Sequence, residues 1–308
     1  MIKAKRKRIW FNKLRDKREG ILTSLDYRKL RNKIVYALIL LSLSLMAFIT
    51  FFPLLYLILS AVGPDRSFYI YGGEESFRFF TGFAFSRFAD AWNIIGLTMP
   101  LLNSLGVVAI AVVVSVVSNG ILGYVLGVVK PKGHKIVFGA IMVGYMIPAM
   151  TGMVPLYSAL SAMGMLNSII PISIIFGANA FYLVMFRNYM ARLPSAIFEA
   201  AEVDGAGQLR IFFRIVFPLS GPIISVIAIF TATAAWSDFM FPYLILRGGT
   251  PNSMTLMVRI YDVIQGGAYN IDDQIIYILL FISAIPLILI FLIFQRRITA
   301  TSVTSGIK

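Results

Sequence analysis

The chain of 308 residues contains no cysteine and a single histidine, His134. It therefore has no residues for a disulfide, a thiolate metal site or a histidine-rich metal site. Charged residues are also scarce, at 14% of the sequence, whereas soluble domains carry about 25%. The hydrophobic fraction of 58% excludes a disordered chain and argues strongly against a soluble globular enzyme.

Long stretches without Asp, Glu, Lys or Arg divide the sequence into candidate transmembrane segments. A helix that crosses a bilayer needs roughly 20 mostly apolar residues. We predict six such helices, at 34–62, at 101–129, two within 136–186, from 215 to 244, and at 274–295. The segments are apolar on all sides, as in helices that face lipid or a bundle interior. The predicted fold class is therefore an all-α polytopic membrane protein with six transmembrane helices.

Basic residues are distributed unevenly between alternate loops of this arrangement. The loops on one side hold 23 of the 28 Lys and Arg residues, and those on the other side hold 5. Because Lys and Arg concentrate in cytoplasmic loops, both termini are expected in the cytoplasm. This topology accounts for the net charge of +14 without a nucleic-acid partner. It predicts a basic N-terminal tail at 1–33, a transmembrane domain at 34–295 and a C-terminal tail at 296–308.

The basic tail has two interpretations. It could bind anionic lipid headgroups, or it could act only as a topology signal, which we favour.

The sequence also lacks the motifs of an autonomous energy-coupled carrier. No G-x-x-x-x-G-K-[ST] motif occurs, so no phosphate-binding loop is expected in this chain. Ion-driven carriers place charged residues inside their spans, whereas here Asp238 is the single candidate, expected at the outer end of the fifth helix, near water. Any energy source is therefore expected to reside in another chain, and neither catalytic residues nor a metal site are predicted.

The segment 187–218 has the pattern of a cytoplasmic docking element. Pro194 and Ser195 predict the start of a short helix, with Ser195 as its cap. Gly205 is expected to end that helix, and a second helical stretch is predicted at 208–217. Small alanines on the first helix would allow a partner surface to approach closely.

The order Glu199-Ala200-Ala201, followed by Asp204-Gly205-Ala206, resembles the EAA loop of the membrane subunits of ABC importers. The extension by Asp-Gly-Ala is similar to the carbohydrate-importer branch, the maltose-type permeases. Supporting similarities are Trp236-Ser237-Asp238-Phe239 and the connection Met163-Gly164-Met165-Leu166-Asn167. The resemblance covers residues 100–295.

This resemblance implies the fold of a type I ABC importer permease and a non-catalytic role in sugar import. It implies a second EAA-bearing permease subunit, in a heterodimer, together with two ATPase subunits that bind ATP and Mg. It further implies an extracytoplasmic solute-binding protein and a multi-pass location in a bacterial or archaeal plasma membrane. The residues implied to couple transport to the ATPase are Glu199, Ala200, Ala201, Asp204, Gly205 and Ala206. Glu199 and Asp204 could either pair with basic groups of the ATPase or cap local amides.

Polar and aromatic side chains within the predicted spans are candidates for a translocation path. These residues are Asn119, Asn179, Tyr182 and Trp236, since sugar sites combine such groups. Each could equally serve helix packing. Gly123 and Gly127 form a G-x-x-x-G pattern that is typical of close helix contacts but also occurs incidentally. The alternative function is a self-contained secondary transporter or channel, and a membrane-embedded enzyme is less favoured.

Overall fold

The structure is a computed structural model that describes residues 30–63, 85–265 and 273–304. The chain separates into two units, Met1–Leu59 and Ser60–Lys308. Within the described ranges the secondary structure is helical and contains no strand. Most of the predicted basic tail and residues 64–84 of the following loop lie outside these ranges.

The first helix, α1, spans Leu30–Val62 and supplies the described part of the first unit. Its sequence is apolar almost throughout, and two of its hydroxyl groups are hydrogen-bonded within the helix. Ser42 Oγ and Thr50 Oγ1 each donate to a carbonyl oxygen about one turn earlier, at 2.9 and 2.8 Å. Such internal bonding suits a helix in an apolar environment, where an unpaired hydroxyl is costly.

The second unit contains the remaining helices. Its first half comprises α2 (Ser86–Ile95), α3 (Thr98–Tyr124, continuing as a π-helical turn, Val125–Val129), α4 (His134–Tyr145), α5 (Met153–Ala162), α6 (Ile169–Ile174) and α7 (Ala180–Met190). Its second half comprises α8 (Ser195–Val203), α9 (Gln208–Ile211, continuing through a π-helical turn, Phe212–Val216, to Leu219), α10 (Gly221–Ser237), α11 (Met240–Leu246), α12 (Leu256–Gln265) and α13 (Asp273–Thr304).

The predicted spans correspond to three continuous helices and three bent pairs among the described residues. The continuous segments, by length and apolar composition, are Asn32–Val62, Thr98–Val129 and Gln274–Phe294. The bent pairs are His134–Tyr145 with Ala149–Ala162 at 88°, Ile169–Gly177 with Ala180–Met190 at 43°, and Gln208–Leu219 with Gly221–Ser237 at 80°. The prediction of six spans thus agrees with the upper count, although continuous third, fourth and fifth helices were not found.

Two predicted helix boundaries are wrong. The second helix begins at Thr98 and includes Pro100 in its first turn, where proline has no hydrogen bond to lose. The fifth ends at Ser237 because Asp238 is extended, with ψ of 122°, and α11 begins as a separate helix. The sixth predicted span, 274–295, agrees with the apolar segment Gln274–Phe294, and its helix continues to Thr304.

Helix α3 lies at the centre of the second unit, in contact with α6, α7 and α10. One core cluster joins α3 and α7 to α9 and α10 through buried residues that include Phe186, Phe212 and Ile227. Another surrounds Trp236 and Leu279, and a third surrounds Ile172 and Leu246. Helices α5 and α7 therefore both pack against α3.

Two glycines allow α3 to approach α7 closely. A Cβ atom at Gly123 would lie 2.6 Å from Phe186 Cβ, and one at Gly127 would lie 2.8 Å from the carbonyl oxygen of Arg187. Arg187 adds a hydrogen bond from Nε to the Leu126 carbonyl oxygen at 3.3 Å. The G-x-x-x-G pattern is therefore a close helix contact in this fold.

We predict that Gly123→Ala lowers the thermal stability of the detergent-purified protein. The added methyl would overlap Phe186, and overpacking typically costs about 1–3 kcal/mol. Gly139→Ala is the matched control, because the same Cβ at that helical position meets nothing within 4 Å. That control is expected to be neutral or stabilising by up to about 1 kcal/mol. Equal unfolding temperatures for both variants would contradict the close contact.

Candidate functional site

A cavity of 870 Å³ lies where two of the bent helix pairs change direction. Its wall includes Gly144–Gly152, the break between α4 and α5, and Ala178–Ala180, the break before α7. Further wall residues come from α3, α5, α7 and α11, together with Asp238 after α10. Irregular backbone at membrane depth is tolerated where it lines a cavity, and discontinuous helices form the binding sites of many transporters.

Two predicted path residues, Asn119 and Asn179, line this cavity and contact each other. Asn119 is buried on α3, and its Nδ2 donates to the Ser115 carbonyl oxygen at 2.8 Å. Its Oδ1 accepts from the backbone N–H of Asn179 at 3.3 Å. Asn179 Oδ1 in turn accepts from the backbone N–H of Tyr182 at 3.1 Å and caps α7. The two side-chain amides thus hold the bend before α7 against α3. Asn179 Nδ2 makes no hydrogen bond to any described residue.

Asp238 is the one charged residue in the described lining of the cavity. It follows the last residue of α10, as expected, and its half-buried side chain lines the cavity. Its carboxylate accepts hydrogen bonds from the backbone N–H groups of Met240 and Phe241 at the start of α11. It therefore places a negative charge beside an otherwise mainly apolar wall.

The other two predicted path residues lie outside the cavity lining. Tyr182 is buried in the cluster around Phe186, and its hydroxyl is hydrogen-bonded to Thr231. Trp236 is buried in a different cluster, where its Nε1 donates to the carbonyl oxygen of Ser283 at 2.9 Å. Both are packed between helices here, and their place in a translocation path stays a prediction.

The segment 187–218 contains α8, which ends in a Schellman motif. The backbone N–H of Ala206 donates to the Ala201 carbonyl oxygen at 2.9 Å, and that of Gly205 donates to the Glu202 carbonyl oxygen at 3.0 Å. Gly205 has φ of +77°, a left-handed conformation that favours glycine. The start differs from the prediction, because Pro194 holds the cap position and no side chain caps the helix.

The six residues implied to couple transport fall on two faces of this segment. Ala201 and Ala206 point inward and pack in the cluster around Phe212. The other four residues, Glu199, Ala200, Asp204 and Gly205, are exposed. Within the described residues the carboxylates of Glu199 and Asp204 make no hydrogen bond or ion pair, so neither caps a local amide. Two small residues thus anchor the segment and leave its acidic groups accessible.

Two parts of the site were not predicted from the sequence. Val203 and Leu209 are 87% and 70% exposed beside Gly205 and add apolar area to the acidic face. The break between α4 and α5, which lines the cavity, was also missed. Its signal was present in Gly144, Pro148 and Gly152, which interrupt a charge-free run.

Comparison with known proteins places these features in context. The sequence model of the family described as "Binding-protein-dependent transport system inner membrane component" matches residues 119–301. The chain is 29% identical to a diacetylchitobiose uptake system permease protein of Streptomyces coelicolor, over 72% of this chain and 73% of that protein. It is 27% identical to an arabinooligosaccharide transport system permease protein of Halalkalibacterium halodurans, over 88% and 96% of the two chains. A melibiose/raffinose/stachyose import permease protein of Bacillus subtilis is 28% identical, over 85% and 91%.

The fold is also similar to that of a chain in a crystal structure of a bacterial ABC transporter involved in import of the acidic polysaccharide alginate. The TM-score is 0.77 at 20% identity, covering 88% of this chain and 99% of that chain. At this identity the similarity concerns the fold alone. The expected fold, a helical ABC importer permease bundle, is confirmed.

We predict that Asn179→Ala destabilises the detergent-purified protein by about 1 kcal/mol, the usual cost of losing a helix cap. Asn179→Asp keeps the accepting oxygen and is expected to retain most of that stability. Asn252→Ala is the matched control, because that exposed side chain makes no hydrogen bond to a described residue. The measurement is thermal unfolding, and an Asn179→Ala curve that superposes on the control would contradict the capping role.

Proposed function

Since the chain belongs to the family of inner membrane components of binding-protein-dependent transport systems, we propose that it is a permease subunit of an ATP-driven importer of a sugar or oligosaccharide. The substrate class rests on its relatives, whose names specify diacetylchitobiose, arabinooligosaccharides and melibiose, raffinose or stachyose. The chain itself carries no phosphate-binding motif. ATP and Mg would be bound by separate ATPase subunits, and ATP hydrolysis would take place there.

The observation that carries this proposal is the two-faced EAA segment, residues 187–218. Its inward alanines, Ala201 and Ala206, hold it against the membrane-spanning helices. Its outward face combines the carboxylates of Glu199 and Asp204, which have no partner in the described part of the chain, with exposed Val203. Such a face suits a partner that offers basic groups around an apolar cleft. We assign that partner as one ATPase subunit, with the second ATPase subunit bound to the equivalent segment of a second permease subunit.

The proposed translocation path includes the 870 Å³ cavity. A sugar needs hydrogen-bond donors and acceptors together with apolar surface for its ring faces. The cavity offers Asn119, Asn179 and Asp238 among apolar residues such as Phe176 and Phe241. Bends in the helices beside it provide places where the wall could rearrange during alternating access.

The remaining parts of the assembly follow from this role. The EAA segment would lie on the cytoplasmic side, with both termini, in a bacterial or archaeal plasma membrane. An extracytoplasmic solute-binding protein would deliver the sugar to the opposite face. The exposed apolar side chains of α4, which has no buried residue, would be covered by lipid or by the second permease subunit.

The first test is purification of the tagged chain from native membranes, with mass spectrometry of its partners and uptake assays in vesicles. We expect a Walker-motif ATPase and a second EAA-bearing permease to copurify. Uptake of radiolabelled diacetylchitobiose, arabinotriose or raffinose should require ATP and a binding protein. A chain that purifies alone and still transports would contradict the proposal and favour a secondary carrier.

We predict that Gly205→Asp reduces ATP-dependent sugar uptake about tenfold while the helices still insert. A residue with a side chain pays roughly 1–2 kcal/mol in the left-handed conformation, and the new carboxylate would lie on the docking face. Gly207→Asp is the control, because it adds the same charge where φ is −69° and nothing lies within 4 Å of the added Cβ. Normal uptake by Gly205→Asp would contradict the coupling role.

We also predict that Ala178→Trp reduces uptake to the level of empty vesicles, because the indole would occupy the cavity that Ala178 lines. Assembly with the ATPase should be unchanged. The control is Ala162→Trp, at an exposed position on α5 outside the cavity lining. Uptake by both variants at the wild-type rate would exclude this cavity from the path.

A further inference from the structure

We infer that Gln208 is a positioning residue that links the end of the central membrane helix α3 to the coupling helix α8. This inference rests on the proposed function, since it concerns how the EAA segment is held for docking. Three side chains form the link. Tyr124 Oη donates to Gln208 Oε1 at 2.6 Å, and Gln208 Nε2 donates to Glu202 Oε1 at 2.8 Å.

The chemistry of the three groups fixes the direction of this chain of hydrogen bonds. An ionised Glu202 can only accept, so the amide nitrogen of Gln208 must face it. The amide oxygen then faces Tyr124, whose hydroxyl must donate. A single arrangement therefore satisfies all three groups. In it the Gln208 amide accepts from Tyr124 through its oxygen and donates to Glu202 through its nitrogen.

The Tyr124 end of the link is shielded from water and the Glu202 end is not. Tyr124 is 4% exposed and packs on Phe212, with ring centroids 5.4 Å apart. Gln208 is the hydrogen-bond partner of the Tyr124 hydroxyl within the described residues. Removing the amide would leave that hydroxyl buried without a partner, which costs more than an ordinary hydrogen bond contributes. The hydrogen bond between Tyr124 and Gln208 is thus the more costly of the two to break. Gln208 in turn holds α8 through its hydrogen bond to Glu202.

The backbone around the link is irregular on both sides. Tyr124 is followed immediately by the π-helical turn Val125–Val129, and Gln208 begins the short helix that enters the π-helical turn Phe212–Val216. Such turns occur often at functional sites, where a helix changes its register. The two π-helical turns alone would allow α8 to adopt more than one orientation. The hydrogen bonds that connect them through Gln208 would fix one of these orientations.

Glu202 has a different role from Glu199 and Asp204. Those two carboxylates are unpaired within the described residues and face outward, whereas the Glu202 carboxylate is already bound to Gln208. Glu202 therefore orients the coupling helix from its own side, while Glu199 and Asp204 remain available to a partner.

The test combines a distance measurement with a transport measurement on the full importer complex. Since the chain has no cysteine, it can be labelled with spin labels at Lys132→Cys, after α3, and Ala196→Cys, on α8, before it is assembled with unlabelled partner subunits. Both positions are exposed. Pulsed electron paramagnetic resonance then gives the distance distribution between the two helices. Sugar imported per ATP hydrolysed, normalised to assembled complex, is measured in vesicles that carry the same variants without labels.

We expect Gln208→Leu to broaden the distance distribution and to lower sugar imported per ATP about fivefold, the effect of losing roughly one hydrogen bond's net free energy. Gln265→Leu, the same change at an exposed position on α12, should alter neither quantity. Tyr124→Phe removes one oxygen, keeps the ring on Phe212 and should reproduce the Gln208→Leu effect. Glu202→Gln keeps an accepting oxygen and should resemble the wild type.

The double variant Tyr124→Phe with Gln208→Leu should be no worse than Gln208→Leu alone, because both changes break one link. A distance distribution and a transport ratio at the wild-type values in both single variants would overturn the inference. A purely structural role would lower the amount of complex and leave both readouts per complex unchanged, which would also overturn it. If the wild-type complex neither hydrolyses ATP nor imports sugar, the proposed function fails, while the label distances still test the link separately.

Discussion

The contact between α3 and α7 at Gly123 and Gly127 is the constraint on which the rest of the second unit depends. Two helix backbones can approach this closely only where side chains are absent. Asn119 lies about one turn before this contact, and Tyr124 lies within it. The cavity wall and the attachment of α9 are therefore set by one short stretch of a single helix. A shift of α7 along α3 would displace both at once.

The break between α4 and α5 is stabilised by local hydrogen bonds to backbone carbonyl oxygens. At the bend after α4, the N–H groups of Met146 and Ile147 donate to carbonyl oxygens three residues earlier, at 3.1 and 3.2 Å. At Pro148 the carbonyl oxygen accepts from both the backbone N–H and the hydroxyl of Thr151. These bonds satisfy groups that an unbroken helix would have paired, which an apolar environment demands. The cavity can therefore have an irregular wall with few polar side chains.

Hydropathy predicted where the long helices lie, because a spanning helix needs a continuous apolar run and this sequence has few charges. It could not predict the bends, since the sequence is equally apolar on both sides of Pro148 and Asn179. The local signals of the EAA segment located α8 within a residue, because proline and glycine restrict the backbone directly. The cap was assigned to Ser195, although Pro194 takes that position. Contacts between residues far apart in sequence, such as Tyr124 with Gln208, left no signal at all. The burial of Trp236 and Tyr182 likewise depends on which helices become neighbours.

The π-helical turn Val125–Val129 marks a position where related sequences can gain or lose one residue. A π-helical turn holds one residue more than an α-helical turn, so it is structurally an accommodated insertion. One residue of an α-helix corresponds to a rotation of about 100°. Relatives that lack this residue could keep the same membrane contacts before Tyr124 and yet present the following loop on another side of the helix. Variation of a single residue at this point would thus change the direction of the end of α3 after Tyr124 without disturbing the cavity, and gaps in sequence alignments of such permeases are expected to fall there.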